Sequence, residues 1–302
     1  MATKKFETDR GLSLRMFLTG LGLVILYVIV GFILTAFGVS MVLVIGINVA
    51  LIVGQYWFSD KIAMASMRAH EVTPAQEPQL HAMVDRLCAL SGIPKPRVGV
   101  AELDVPNAFA TGRNPKNAVV VVTRGIQARL SDEELEAVLS HELSHVMHRD
   151  VAIMTIASSL GMLAGLVSRL AMWGAMFSGN GRNSRDGENL FLLELATMLI
   201  SIVVYFISYL LTLALSRYRE LAADRSGAIM IGKPSVLASA LVKITGEMGR
   251  IPTADLRKVE GMNAFFFTPA FAKGSAAALL STHPTLERRL AQLKQLEQEM
   301  NG

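Results

Sequence analysis

The chain has 302 residues, of which 52% are apolar and 18% charged, with a formal net charge of +4. Soluble domains usually carry about 25% charged residues, so this composition points to a membrane protein. The mild basic bias comes without a dense Lys/Arg run or interleaved aromatics, which suits an anionic membrane surface and excludes nucleic acid as the expected partner.

Between Leu14 and Ser59 the one charged residue is Arg15. That stretch is more than twice the ~20 residues a spanning helix needs. It predicts two spans, near 13–36 and 39–58, with a turn around Phe37–Ser40, and it is too long for the apolar core of a signal peptide. Lys4, Lys5, Arg10 and Arg15 flank the first span and predict a cytoplasmic N-terminus.

The next segment reads as helix, sheet, helix. Leu80, Met83, Val84, Leu87 and Leu90 recur at helical spacing over 75–91, and Gly92 and Pro94 stop that helix. Cys88, the single cysteine, is read as a small buried apolar residue on it, so no intrachain disulfide is expected. His70 and His81 are read as ordinary polar surface. Arg97–Leu103 alternates as a strand does. Asn107–Thr111 and Ala118–Thr123 form two more strands around a Gly112–Asn117 turn.

Ser131-Asp132-Glu133-Glu134 is a capping box that opens a helix, and its acidic first turn suits the helix dipole. Two turns on come His141-Glu142-Leu143-Ser144-His145. Histidines four apart on a helix share one face and can hold one metal ion, with Glu142 placed to reach a water beside it. This H-E-x-x-H pattern marks zinc metalloproteases.

Val151–Phe177 and Leu190–Leu215 are the third and fourth apolar runs, with one charge each, Arg169 and Glu194. Both charges are expected to snorkel toward the polar 178–189 loop or to pair. Glu220 and Asp224 follow, again four apart, on what reads as a continuation of the fourth span ending near Gly232–Pro234. Glu220 as the third ligand and Asp224 as the acceptor for a ligand imidazole would give the His-His-Glu set of gluzincins. His148 is near this face but is not read as a ligand, and a local capping or orienting role for Asp150 is a minor alternative of the same weight.

H-E-L-S-H-x-x-x-R-D at 141–150, S-R-x-R-E-x-x-A-D at 216–224 and S-T-H-P at 281–284 together resemble the HtpX family of membrane zinc endopeptidases, relatives of the type I CAAX prenyl proteases. The resemblance covers essentially the whole chain. Thr285 stands where the family often has a second proline. The resemblance implies one Zn²⁺ and polypeptide substrates, with quality control of damaged membrane proteins as the role. It also implies that Asn107 and Ala108 lie on an edge strand that pairs with substrate backbone. A second Asn263-Ala264-Phe265 does not precede the motif helix and is not read as equivalent. His283 is either an N-cap ahead of Pro284 or, by the resemblance, the catalytic late histidine that hydrogen-bonds a developing oxyanion.

The expected fold is α+β: a multi-pass membrane protein with four spans and a gluzincin-like cytoplasmic zinc protease domain, mostly helical with a small β-sheet. Its parts are a transmembrane hairpin (1–59), the first part of the protease domain (60–150), a second hairpin (151–215) and the rest of the protease domain (216–302). The expected location is the bacterial inner membrane, with the active site and both termini cytoplasmic. An intramembrane protease is excluded, because Asp132, Glu133, Glu134 and Glu136 open the motif helix. A metal transporter or sensor using Arg169 and Glu194 is the rival reading.

Overall fold

The computed structural model describes residues 10–36, 40–177, 185–248 and 281–301. The chain divides into two compact units, one made of Met1–Gln55 with Met154–Leu215, the other of Tyr56–Ile153 with Ser216–Gly302.

The first unit contains α1 (Arg10–Ala36), most of α2 (Met41–Ser66), α6 (Asp150–Phe177) from Met154 on, and α7 (Arg185–Ile231) as far as Leu215. Its helices expose large apolar side chains such as Val28, Val42 and Val203, which suits a hydrocarbon solvent. Polar side chains tie it internally. Tyr27 bonds Ser159, and the Thr212 hydroxyl donates to the Ala157 carbonyl at 3.2 Å. Among the described residues three helical stretches are long and apolar enough to cross a membrane: Arg10–Gly31, Asp150–Arg169 and Leu195–Ile231. The expected second span falls on α2, which is not among the three. The expected 37–40 turn lies largely outside the described residues, as does 178–184 of the expected 178–189 loop; residues 185–189 are already helical.

The second unit is built on a four-stranded sheet ordered β1-β2-β4-β3. β1 (Ala69–Glu71) pairs antiparallel with β2 (Arg97–Ala101). β2 runs parallel to β4 (Val119–Thr123), and β3 (Ala108–Thr111) lies antiparallel to β4 at the edge. Alternation along β4 sets the two faces of the sheet. Val120 and Val122 join Leu87 of α3 (Pro78–Ser91), Val138 and Leu139 of α5 (Asp132–Met147), Leu241 of α8 (Pro234–Met248) and Leu293 of α9 (Leu286–Asn301) in the main core. Val119 and Val121 pack on the other side with Phe109, with Ala63 of α2 and with Met67 just past its end.

Local signals account for most boundaries. Gly92 ends α3 at φ 70°, a left-handed conformation that glycine adopts without strain. The Ser131–Glu134 capping box is formed in full at the start of α5. The motif helix does not run straight on into the third span. Arg149 takes φ 57° between α5 and α6, so the chain turns there before α6 begins. His81 is a correction to the sequence reading. It is buried, with Nε2 3.0 Å from the Val72 carbonyl oxygen, because its helix position faces the core beside Leu80 and Val84. Short β1, the brief α4 (Arg124–Arg129) and α8 are further elements that the sequence reading did not contain. The Asn263-Ala264-Phe265 stretch lies outside the described residues.

Candidate active site

α5 carries His141 and His145 one turn apart. Their Nε2 atoms face each other at 3.1 Å, with the rings edge to face. α7 brings Glu220 between them: Oε1 is 3.5 Å from His145 Nε2, and Oε2 is 3.6 Å from His141 Nε2. Close approach of the two helices rests on Gly227. A Cβ there would stand 2.8 Å from the His141 backbone nitrogen, so any side chain would push α7 off the motif.

These three donors fit a metal ion. A tetrahedral ion with bonds of ~2.05 Å needs donors about 3.3 Å apart, and the observed separations bracket that value. Glu220 Oε2 is buried and makes no hydrogen bond. A buried acceptor without a donor costs about 1–3 kcal/mol, a cost a bound cation removes.

Each imidazole turns its other nitrogen to a carboxylate. His141 Nδ1 lies 2.9 Å from Asp224 Oδ1, and His145 Nδ1 lies 2.7 Å from Asp150 Oδ2. Such partners hold the Nδ1–H tautomer and leave Nε2 free to ligate. Asp224 is in turn gripped by the buried Arg289, whose Nε and Nη2 donate to its two oxygens at 2.7 and 2.6 Å. Asp150 pairs with Arg219. Burial opposes a charged ring at His141, but the Asp224 and Glu220 carboxylates outweigh it and raise the pKa.

Glu142 points away from the donor triangle toward the sheet. Its Oε2 accepts a hydrogen bond from the Ala110 amide at 2.9 Å. Burial pushes its carboxyl upward against the pull of the two histidines, which makes it readier to take a proton than an exposed glutamate.

The hydrogen-bond parity of β3 decides which groups face this space. The amide and carbonyl of Asn107 are both engaged by Thr123 on β4. The outward main-chain groups are therefore those of Ala108 and Ala110, and Ala110 indeed reaches Glu142. The sequence reading named Asn107 and Ala108; the structure turns the Asn107 backbone inward and the Ala108 backbone outward.

His283 Nδ1 lies 3.0 Å from Glu220 Oε2, although not aligned for a hydrogen bond. It does not cap α9. Thr285 does that, its hydroxyl accepting from the Arg288 amide at 3.4 Å. His148 is not in the donor group. Its Nε2 is 3.2 Å from the Ser226 hydroxyl, and burial lowers its pKa to about 4. Arg219, Arg289 and Ala110 are the residues of this site that the sequence reading passed over. A signal existed for Arg289: it sits on the Leu286–Leu293–Leu296 stripe of α9, where an unpaired charge would be untenable.

Residues 74–297 match the family described as Peptidase family M48. The chain belongs to peptidase family M48. It is 52% identical over 299 residues to a protease HtpX homolog of Moorella thermoacetica, covering 98% of both chains. It is 51% identical to protease HtpX homolog 1 of Streptomyces coelicolor, covering 98% of this chain and 96% of that one. Among solved structures, S. mikatae Ste24p shares the fold with a TM-score of 0.56 at 17% identity, over 94% of this chain and 66% of that one. This M48 protein is therefore a membrane metalloprotease, and the transporter reading finds no support among its relatives. Family membership implies a metal ion, and the His141–His145–Glu220 triangle is a place in the described structure that can hold it.

Proposed function

We propose that this M48 peptidase is a zinc endopeptidase that takes an extended stretch of polypeptide onto the outer edge of β3 and cleaves it on the cytoplasmic side of the bacterial inner membrane. His141, His145 and Glu220 are the ligands, and Asp224 and Asp150 orient the two rings. When bound, Zn²⁺ polarises the scissile carbonyl and makes water a nucleophile near neutral pH. The Ala108 main chain and the Ala110 carbonyl offer bonds to the substrate, which accounts for weak side-chain preference. Glu142, beside that edge, accepts the proton of the attacking water and delivers it to the leaving amine. His283 supports the developing negative charge next to Glu220. The separations of the three donors, bracketing about 3.3 Å, are the observation that carries this reading.

The gluzincin-like domain is read as divided between 60–150 and 216–302, with α2 completing four spans. Four spans return both soluble segments to one side, and the N-terminal Lys4, Lys5, Arg10 and Arg15 favour the cytoplasm as that side. α7 supports a site close to the membrane, since its apolar run ends near Leu215 and Glu220 follows within two turns. Damaged membrane proteins, cleaved under stress, are then the substrate class.

The test is Glu142→Gln in the full chain. It keeps one zinc per chain and loses at least about a thousandfold in cleavage of an unfolded protein substrate. Wild-type hydrolysis by the zinc-loaded variant would overturn the reading. In cells, comparison of the two forms shows new protein ends in cytoplasmic loops only when Glu142 is intact.

A further inference from the structure

The last stretch of α2 carries an aromatic and cationic face that the peptidase chemistry does not use. Helix pitch sorts its residues by about 100° per step. Ala63 lies on the inward side, packed against the sheet with Phe109 and Val121. Trp57, Phe58, Lys61 and Ile62 take the far side. Trp57 is 54% exposed, Phe58 49% and Ile62 52%, and Lys61 is exposed beside them. Large apolar side chains grouped on one open face mark a contact with a partner.

Two cations are mounted on these rings. The Arg113 guanidinium lies 4.5 Å from the centroid of the Trp57 ring, and Lys61 Nζ lies 5.8 Å from that of Phe58. Arg113 belongs to the turn that follows β3, and its Nη2 donates to the Asn117 side-chain oxygen at 3.1 Å. Asp60 is the one acidic residue between Trp57 and Ile62, and it pairs with Arg97. The aromatic face therefore keeps its positive charge.

Position along the chain selects the partner. α2 runs unbroken from Met41 to Ser66, and its first charged residues are Asp60 and Lys61. Trp57 and Phe58 stand where the apolar run gives way to them. Aromatic rings gather at that level of a spanning helix because an amphipathic ring suits the headgroup layer. Cations at the same level meet lipid phosphates.

We infer that the end of α2 and the turn after β3 rest together in the headgroup layer, with Arg113 and Lys61 on the phosphates of anionic lipids. Arg113 is three residues from Ala110, at most about 11 Å of extended chain, and the Ala110 amide bonds Glu142. The edge that receives substrate thus begins within that distance of lipid, and a chain leaving the bilayer reaches β3 within a few residues of its span. This consequence rests on the reading of β3 given above; the lipid contact does not.

The chain has two tryptophans, so Trp173→Phe leaves Trp57 as the one indole. In the full chain, reconstituted in phosphatidylcholine vesicles, its depth is read by quenching with lipids brominated near the headgroup end or near the far end of the acyl chains. The shallow bromines should quench Trp57 more strongly. With Trp57→Phe and Leu90→Trp in the same background, the indole sits on α3, at an exposed position, and neither lipid should quench it. Brominated phosphatidylglycerol diluted into plain phosphatidylcholine should match the quenching of brominated phosphatidylcholine at an at least about fivefold lower fraction. Arg113→Gln with Lys61→Gln should lose that preference and keep the shallow quenching, which shows that the helix end is still in place. None of these readings needs peptidase activity, so they stand or fall separately from the proposed hydrolysis. Absent quenching of Trp57, stronger quenching by the deep bromines, or quenching at Leu90→Trp equal to that at Trp57 overturns the inference. So does equal quenching by the two headgroups, or an undiminished preference in the double variant. A protein partner seated on this face, in place of lipid, would give the first of these results.

Discussion

His141 and His145 each turn one ring nitrogen to the donor triangle and the other to an aspartate, and this division of labour governs how the site responds to acid. The pKa of His141 is raised, so its ring begins to take up a proton above the ordinary value near 6.5. A protonated ring has no lone pair to give. Zinc affinity is therefore expected to fall as pH drops through this range, by up to about tenfold per unit for each histidine that must lose a proton. Asp150→Asn should weaken zinc about 10–100-fold at neutral pH by loosening His145. Chelator competition at a series of pH values measures both effects, and wild-type affinity in the Asp150→Asn protein would remove the orienting role. His141 and His145 are legible in the sequence as one pair, and Glu220 and Asp224 as another, because helix pitch puts residues four apart on one face; Glu142 is legible from its place between the histidines. Arg289 and Asp224 are 65 positions apart in the chain, and no local period links them. The partnership of Asp150 with Arg219 is hidden for the same reason.

At the scale of elements, α5 is the best-marked helix in the sequence, and its first turn is also its acid-sensitive end. Burial works against the charge of Glu134, but Lys243, the Ser131 amide and hydroxyl, and Ser239 hold it ionised, with a pKa of about 2. A depressed carboxylate contributes stability that is complete above its unfolded value, about 4.3, and that disappears as pH falls toward 2. Glu134→Gln should accordingly be less stable than wild type near pH 6, with the gap narrowing near pH 3; denaturant titration of the detergent-solubilised chain measures it. A gap independent of pH would mean that the amide loses shape rather than charge. The sheet is less legible. Valines at 119–122 announce β4, but β1 has only three residues and no usable alternation. Which main-chain groups of β3 face outward depends on its register against β4, and register is a property of two strands together.

Taken whole, the molecule is a membrane protein whose peptidase residues come from two distant stretches of chain. The apolar runs are legible because bilayer thickness sets their length. Their sidedness rests on a handful of basic residues, and it can be measured directly. Cys88 is the single cysteine, is buried, and has a thiol pKa pushed by burial to about 11, so it stays silent toward maleimides. With Gln298→Cys, at an exposed position on α9, a membrane-impermeant maleimide should label only after cells are opened. With Asn180→Cys, which falls between the third and fourth apolar runs of the sequence, it should label intact cells. The reverse pattern would invert the proposed orientation.

α7 is one unbroken helix of 47 residues, and this gives the gene a strict reading rule. Each residue added to a helix turns everything beyond it by about 100° and moves it about 1.5 Å. Substitutions between Leu195 and Leu215 that stay apolar leave the phase of Glu220 and Asp224 untouched. A single codon inserted or deleted there turns the stretch of α7 that carries Glu220 and Asp224 by about 100° relative to the start of its apolar run, while that run nearly keeps its length and hydropathy. Over that interval the helix tolerates an exchange of one exposed apolar residue for another far better than a change in its number of residues.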